Sequence, residues 1–364
     1  MTTSLFDPIT LGAIKAPNRV LMAPLTRGRS TAGHVPDSAL KTDYYAQRAG
    51  AGLIIAEATG ISQEGLGWPS APGIWSAEQV EAWKPVTEAV HKADGRIVLQ
   101  LWHMGRLVHP DFLGGAQPVS SSATTAPGYA HTAEGKKDYT QARALRLDEI
   151  PRVIGEYASA AKNAIAAGFD GVQIHSANGY LLDQFLRDNT NFRDDEYGGP
   201  IENRIRLMRE VTQAVADTIG ADHTSVRLSP NGETQGANDS NPVALFTAAA
   251  AALQQIGIGF LELREIKSFG NFGTTDVPRI SPEIRKVFTG PLVLNQEYTL
   301  ETANEDLASG LADAISFGRP FISNPDLPAR LASGAELTPD NYKTWYSEGA
   351  EGYTDYAALE TEAA

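Results

Sequence analysis

Eight short apolar runs recur along the chain: "RVLMAP" at 19–24, "GLIIAEA" at 52–58, "IVLQLW" at 97–102, "GVQIH" at 171–175, "SVRLS" at 225–229, "FLELR" at 260–264, "PLVLN" at 291–295 and "AISFG" at 314–318. They are apolar nearly throughout rather than alternating, the pattern of parallel strands covered on both faces. Longer segments of helical period separate them. The segment 149–167, "EIPRVIGEYASAAKNAIAA", ends at Gly168, a natural helix stop. Eight strand–helix units in a row predict an α/β fold, a closed (β/α)8 TIM barrel. The absence of repeats, low-complexity tracts and linkers predicts one domain over 1–364. A doubly wound open sheet is the alternative, weakened because no glycine-rich dinucleotide turn follows the first strand. "LFDPITLGAIKAPNRV" predicts an N-terminal hairpin capping the barrel bottom. The stretch 103–145, rich in Gly, Pro, Ser and Thr, is predicted as a long loop after strand three, and about 266–281 as a second irregular loop.

Composition narrows the function. The chain has 364 residues, 42% hydrophobic and 20% charged, with a formal charge of −14 that argues against a nucleic-acid or anionic-membrane partner. With no cysteine, disulfides, a thiolate nucleophile and cysteine-held metal centres are excluded. The apolar run 245–253 is too short to cross a bilayer and reads as a buried helix. No signal peptide is evident, so a cytoplasmic protein is expected.

A barrel places its chemistry just past the C-terminal ends of its strands. The polar residues fall there. Pro24 and Thr26 follow strand one, Ala58 and Thr59 strand two; Gln100 and Trp102 close strand three; His175, Asn178 and Tyr180 follow strand four; Arg227, Arg264, Asn295 and then Gly318 with Arg319 end the rest. Each has an ordinary structural reading alone, but independent structural residues have no reason to gather on one face. "SFGRP" lies where barrels commonly bind phosphate, Gly318 admitting the backbone and Arg319 supplying a charge-assisted bond. His175 and Asn178 can donate to a carbonyl or nitro oxygen, and Tyr180 is an acid suited to an enolate-like carbon. A carbonyl clamp beside a phenol suits reduction of an activated C=C bond. No side chain supplies a hydride, so a redox cofactor is implied, and one bearing a phosphate fits Arg319.

With those residues in view the chain resembles the old yellow enzyme family, the FMN-dependent ene-reductases. The matching blocks are "NRVLMAPLTR" at 18–27, "GLIIAEATGIS" at 52–62, "QLWHMGR" at 100–106, "HSANGYLLDQFL" at 175–186, "DDEYGGPIENRIRLMREV" at 194–211, "VRLSP" at 226–230, "FGRPFISNPDLPARL" at 317–331 and "GYTDY" at 352–356. The bacterial branch containing pentaerythritol tetranitrate and N-ethylmaleimide reductases is the nearest likeness. The resemblance implies tightly bound, non-covalent FMN. Pro24, Thr26, Ala58, Gln100, His175 and Arg227 would meet the ring, and Asn295, Gly318 and Arg319 the phosphate. It implies His175 and Asn178 as substrate anchors, Tyr180 as proton donor, and Trp68, Trp102 and Tyr353 lining the substrate side. The implied reaction is ping-pong, from NADPH or NADH to enones, maleimides or nitroalkenes. The nicotinamide preference, nitrate-ester activity and the choice of monomer or dimer stay open. Trp68 stands where relatives often carry tyrosine, and Asn295-Gln296 replaces a glycine-rich turn.

Other classes fit less well. An aldolase or epimerase barrel wants a strand-end lysine or a metal cluster; no lysine lies at a strand end, and the seven histidines show no ligand spacing, so no metal is expected. A glycosidase would pair Glu57 with Glu262, but both lie inside strand runs. A non-catalytic flavin-binding protein would have no need of Tyr180.

Overall fold

The computed structural model describes residues 3–266, 275 and 277–359. Every apolar run forms a strand: β1 (Val20–Met22), β2 (Ile54–Gly60), β3 (Ile97–Trp102), β4 (Val172–His175), β5 (Thr224–Leu228), β6 (Phe260–Arg264), β7 (Leu292–Asn295) and β8 (Ala314–Phe317). They pair in parallel, each with the next. β8 returns to β1 through Ile315↔Val20, Ser316↔Leu21 and Phe317↔Met22, so the sheet closes into a barrel. The intervening helices are α1 (Ser38–Ala46), α2 (Ala77–Lys92), α3 (Ile150–Ala166), α4 (Arg206–Ile219), α5 (Pro242–Ile256), α6 (Ser281–Val287), α7 (Leu300–Ala308) and α8 (Leu327–Ser333). Among the described residues no helix is long and apolar enough to cross a membrane.

Alternation along each strand sorts the side chains. Val20, Met22, Ile54, Leu99, Val172, Val226 and Leu261 face outward into the helical layer. The alternate set faces the axis. At the bottom it is apolar, with Leu21, Leu53, Ile55, Val98, Phe260, Val293 and Ala314 packed together. Leu11, Ile14 and Ala16 join them from the expected hairpin, Ile9–Leu11 against Ile14–Ala16, which plugs this end. Further along four of the strands the inward set turns polar: Val98 gives way to Gln100, Phe260 to Glu262 and Arg264, Val293 to Asn295, Ala314 to Ser316. Burying that much polarity is tolerable only if the groups bond one another.

The stretch 103–145 is more ordered than its composition predicts. It carries a hairpin, Tyr129–Thr132 with Gly135–Asp138, and a parallel ladder of Val119–Ser120 with Arg143–Ala144. Ser120 and Ser121 tie it to the Gln184 side chain and carbonyl, at 2.8 Å each. These contacts span tens of residues and leave no local period. Residues 267–274 and 276 of the second expected loop lie outside the described residues.

Candidate active site

The polar layer is continuous. Gln100 Nε2 donates to Gln173 Oε1 (2.7 Å), and Gln173 Nε2 to Glu262 Oε2 (2.8 Å). Arg227 donates through Nη1 to the same carboxylate oxygen (2.8 Å) and through Nη2 to Asn295 Oδ1 (2.8 Å), while Asn295 Nδ2 donates to Ser316 O (2.8 Å). The layer fixes Arg227 at the C-terminal end of β5 and neutralises it with a buried carboxylate. Glu262 is thus the counter-ion of Arg227. Glu57 bonds Lys41 and Tyr45 of α1, so the two glutamates do not form a paired-acid site.

Above this floor opens a cavity of about 580 Å³. Pro24, Thr26, Asn178, Tyr180, Arg227, Asn295, Gly318 and Arg319, all singled out from the sequence, are on its wall. Asn178 and Tyr180 reach it through a sharp turn after β4. Asn178 sits at φ 60°, a left-handed conformation asparagine adopts more readily than most residues. Gly179 follows at φ 77°, where a Cβ would come within 2.6 Å of Thr234 O. The turn is pinned: Asn178 N donates to Ser229 Oγ (2.8 Å), Gln235 Nε2 donates to Asn178 O (2.9 Å), and Gly179 N donates to Asp183 Oδ2 (2.8 Å). Helix Leu181–Leu186 then begins directly after Tyr180.

His175, the last residue of β4, lies beneath. Its ring meets Tyr180 edge-on at 4.9 Å, and Trp102 meets the same phenol at 5.0 Å. Burial, with the charges of Arg227 and Arg264, holds the His175 imidazole pKa well below its ordinary value, so the ring is neutral at physiological pH. Burial pushes the Tyr180 phenol up, partly opposed by a Gln235 hydrogen bond, so it keeps its proton.

The remaining sequence-predicted residues are distributed unequally. Ala58, Trp68 and Trp102 share one apolar cluster with Tyr180, at the cavity's edge. Gln100 is in the floor layer. Tyr353 is not at the cavity: fully buried, it stacks on Tyr44 at 4.0 Å, with Arg27 and Arg29 over its ring. Tyr346 and Trp345 are on the wall instead, and Trp68 contacts Tyr346 at 5.4 Å. Arg27 and Arg29 bring that segment in by donating to Trp345 O, at 3.0 and 2.9 Å. The wall also includes Thr234, Gln235, Arg264 and Gln296, which the sequence reading either passed over or left without a role. The signal for the floor was present in "GVQIH" and "FLELR", where Gln173 and Glu262 interrupt otherwise apolar strands at inward positions.

The model of the NADH:flavin oxidoreductase / NADH oxidase family matches residues 4–338. The structure of the old yellow enzyme homologue from Zymomonas mobilis, NCR, superposes with a TM-score of 0.97 at 62% identity, covering 98% of this chain and all of that one. The chain belongs to the old yellow enzyme family. Morphinone reductase in complex with tetrahydroNAD aligns with a TM-score of 0.92 at 42% identity, over 98% of each chain. The curated 12-oxophytodienoate reductase 2 of Arabidopsis thaliana is 40% identical over 365 residues, 99% of this chain and 96% of its own.

As an old yellow enzyme this chain is an FMN-dependent oxidoreductase, and its buried groups fit that cofactor. Two nitrogens on adjacent strands at the floor, His175 Nδ1 and Arg227 Nε, are buried without hydrogen-bond partners among the described residues. Buried polar atoms usually have a hydrogen-bond partner, and a ligand seated on the floor would supply one to these two. The acceptor nitrogens and carbonyl oxygens of a flavin ring, beside the Arg227 charge, would meet that need.

Proposed function

We propose that this old yellow enzyme is a nicotinamide-dependent ene-reductase acting on alkenes conjugated to a carbonyl or nitro group: enones, maleimides and nitroalkenes. The chemistry FMN supplies when bound is acceptance of a hydride from a reduced nicotinamide and its donation to the acceptor's β-carbon. Pro24, Thr26, Ala58, Gln100, His175 and Arg227 would hold the ring, and Asn295, Gly318 and Arg319 the phosphate. Arg227, anchored by Glu262 and Asn295, stabilises negative charge that grows beside it without having to move.

Neutral His175 and Asn178 hold the acceptor's oxygen and favour the charge that develops there as hydride arrives at the β-carbon. Tyr180 delivers the proton to the α-carbon; its raised pKa makes it a weak acid that stays loaded until a strongly basic carbon forms beside it. One cavity serves both nicotinamide and acceptor, so they take turns, which is a ping-pong sequence. The observation that carries the reading is an amide and a protonated phenol, Asn178 and Tyr180, on the cavity wall with Arg227, and the neutral His175 imidazole packed edge-on beneath the phenol.

Rapid-mixing measurement of the two half-reactions tests it. Tyr180→Phe is expected to slow oxidation of the reduced protein by 2-cyclohexenone about a hundredfold or more, while reduction by nicotinamide changes little. Equal loss in both halves would remove Tyr180 as the proton donor.

A further inference from the structure

Arg264, the last residue of β6, crosses the cavity wall to the turn after β4. Its Nη1 donates to Asn178 Oδ1 at 3.0 Å, with a longer contact to Thr234 Oγ1 at 3.5 Å, and its Nε donates to Gln296 Oε1 at 3.1 Å. A guanidinium has donors and no acceptor. Whichever end of the Asn178 amide faces it must therefore be the oxygen. The backbone of Asn178 is already fixed on both sides by Ser229 and Gln235, so what remains is side-chain rotation, above all the half-turn of the amide that exchanges oxygen for nitrogen. The Arg264 bond removes that half-turn. Nδ2, which makes no hydrogen bond to the described residues, is then the end left to the cavity.

We infer that Arg264 is a positioning residue: it locks the Asn178 amide with its N–H donors turned to the acceptor's oxygen, and it couples that lock to the loop after β7 through Gln296. This rests on the anchoring role proposed above for Asn178. An asparagine free to rotate would present its own oxygen to the substrate oxygen for part of the time, a repulsive contact.

The test is equilibrium binding of p-hydroxybenzaldehyde to the oxidised holoprotein, followed by the flavin absorbance change, so that only folded, flavin-loaded chains are read. Four proteins form a double-mutant cycle: wild type, Arg264→Met, Asn178→Ala and the double variant. Asn178→Ala is expected to weaken binding about five- to tenfold, the worth of one hydrogen bond to a neutral or partly charged oxygen. Arg264→Met is expected to weaken it by a similar factor in wild type and by less than twofold when Asn178 is already alanine. Arg264→Lys, which keeps a donor toward Oδ1, is expected to stay within about threefold of wild type. An undiminished Arg264→Met effect in the Asn178→Ala background overturns the positioning role, as does an Arg264→Lys loss as large as that of Asn178→Ala. No change on Asn178→Ala alone would instead overturn the anchoring role itself, so the two failures are distinguishable.

Discussion

At the scale of single residues the fold holds two histidines neutral, and one reports the energetics cleanly. His103, directly after β3, accepts from Gly105 N through Nδ1 at 3.1 Å, which fixes its proton on Nε2. That nitrogen is buried with no partner among the described residues. Burial, with a smaller push from Arg152, takes the imidazole down to about 3. The sign follows from proton uptake. Below about 6.5 the unfolded chain binds a proton here that the fold refuses until about pH 3, so stability falls as pH falls through that window. His175 acts in the same direction, and each such group contributes at most about 1.4 kcal/mol per pH unit. His103→Gln, whose oxygen can still accept from Gly105, is expected to flatten the loss of stability between pH 6.5 and 4.5 by up to one proton. Urea unfolding at a series of pH values measures this, and an identical slope in the variant would remove His103 from the account.

At the scale of elements, stability and chemistry occupy opposite ends of the barrel. The hairpin plug turns at Gly12, φ 62°, where a Cβ would lie 2.1 Å from Asp222 O, and Ala13 N donates to that same carbonyl at 3.0 Å. Gly12→Ala combines an unfavourable φ with a backbone clash and is expected to cost about 2 kcal/mol or more in thermal or urea unfolding. Well below its melting temperature its kcat/KM should match wild type within about twofold; a large kinetic loss would show that the bottom plug communicates with the cavity. Elements of this kind were legible in sequence. The eight strands announced themselves because strands covered on both faces are apolar without interruption, and the hairpin because Gly12 separates two short β-prone runs. The wall residues were less legible for a physical reason. Tyr346 and Trp345 reach the cavity through Arg27 and Arg29, more than 300 positions away, and nothing local in "KTWYSEGAEGYTDY" tells which aromatic will face inward. The family pattern pointed to Tyr353, but packing against Tyr44 and the arginines claims it.

At the scale of the whole molecule, charge is segregated. The chain carries −14 overall, yet among the described residues the charged groups on the cavity wall are Arg27, Arg227, Arg264 and Arg319 against Glu297. A cavity walled by low-dielectric protein focuses such a field and draws anionic ligands into a protein that repels them elsewhere. Glu262 offsets Arg227 at the floor, which leaves the balance of positive charge nearer the rim formed by Arg319 and its neighbours. The focused charge should therefore act on the phosphate of FMN more than on its ring. For protein stripped of flavin, Arg319→Met is expected to weaken FMN binding at least tenfold while changing riboflavin affinity less than about threefold, since riboflavin shares the ring and lacks the phosphate. Raising salt from 0.05 to 0.5 M should shrink the wild-type preference for FMN over riboflavin, because screening reaches the partly open rim more than the buried floor. Fluorescence titration with both flavins reads all of these. Equal weakening of FMN and riboflavin in Arg319→Met would mean that the arginine shapes the ring's cradle, and the phosphate would have to be held by other groups.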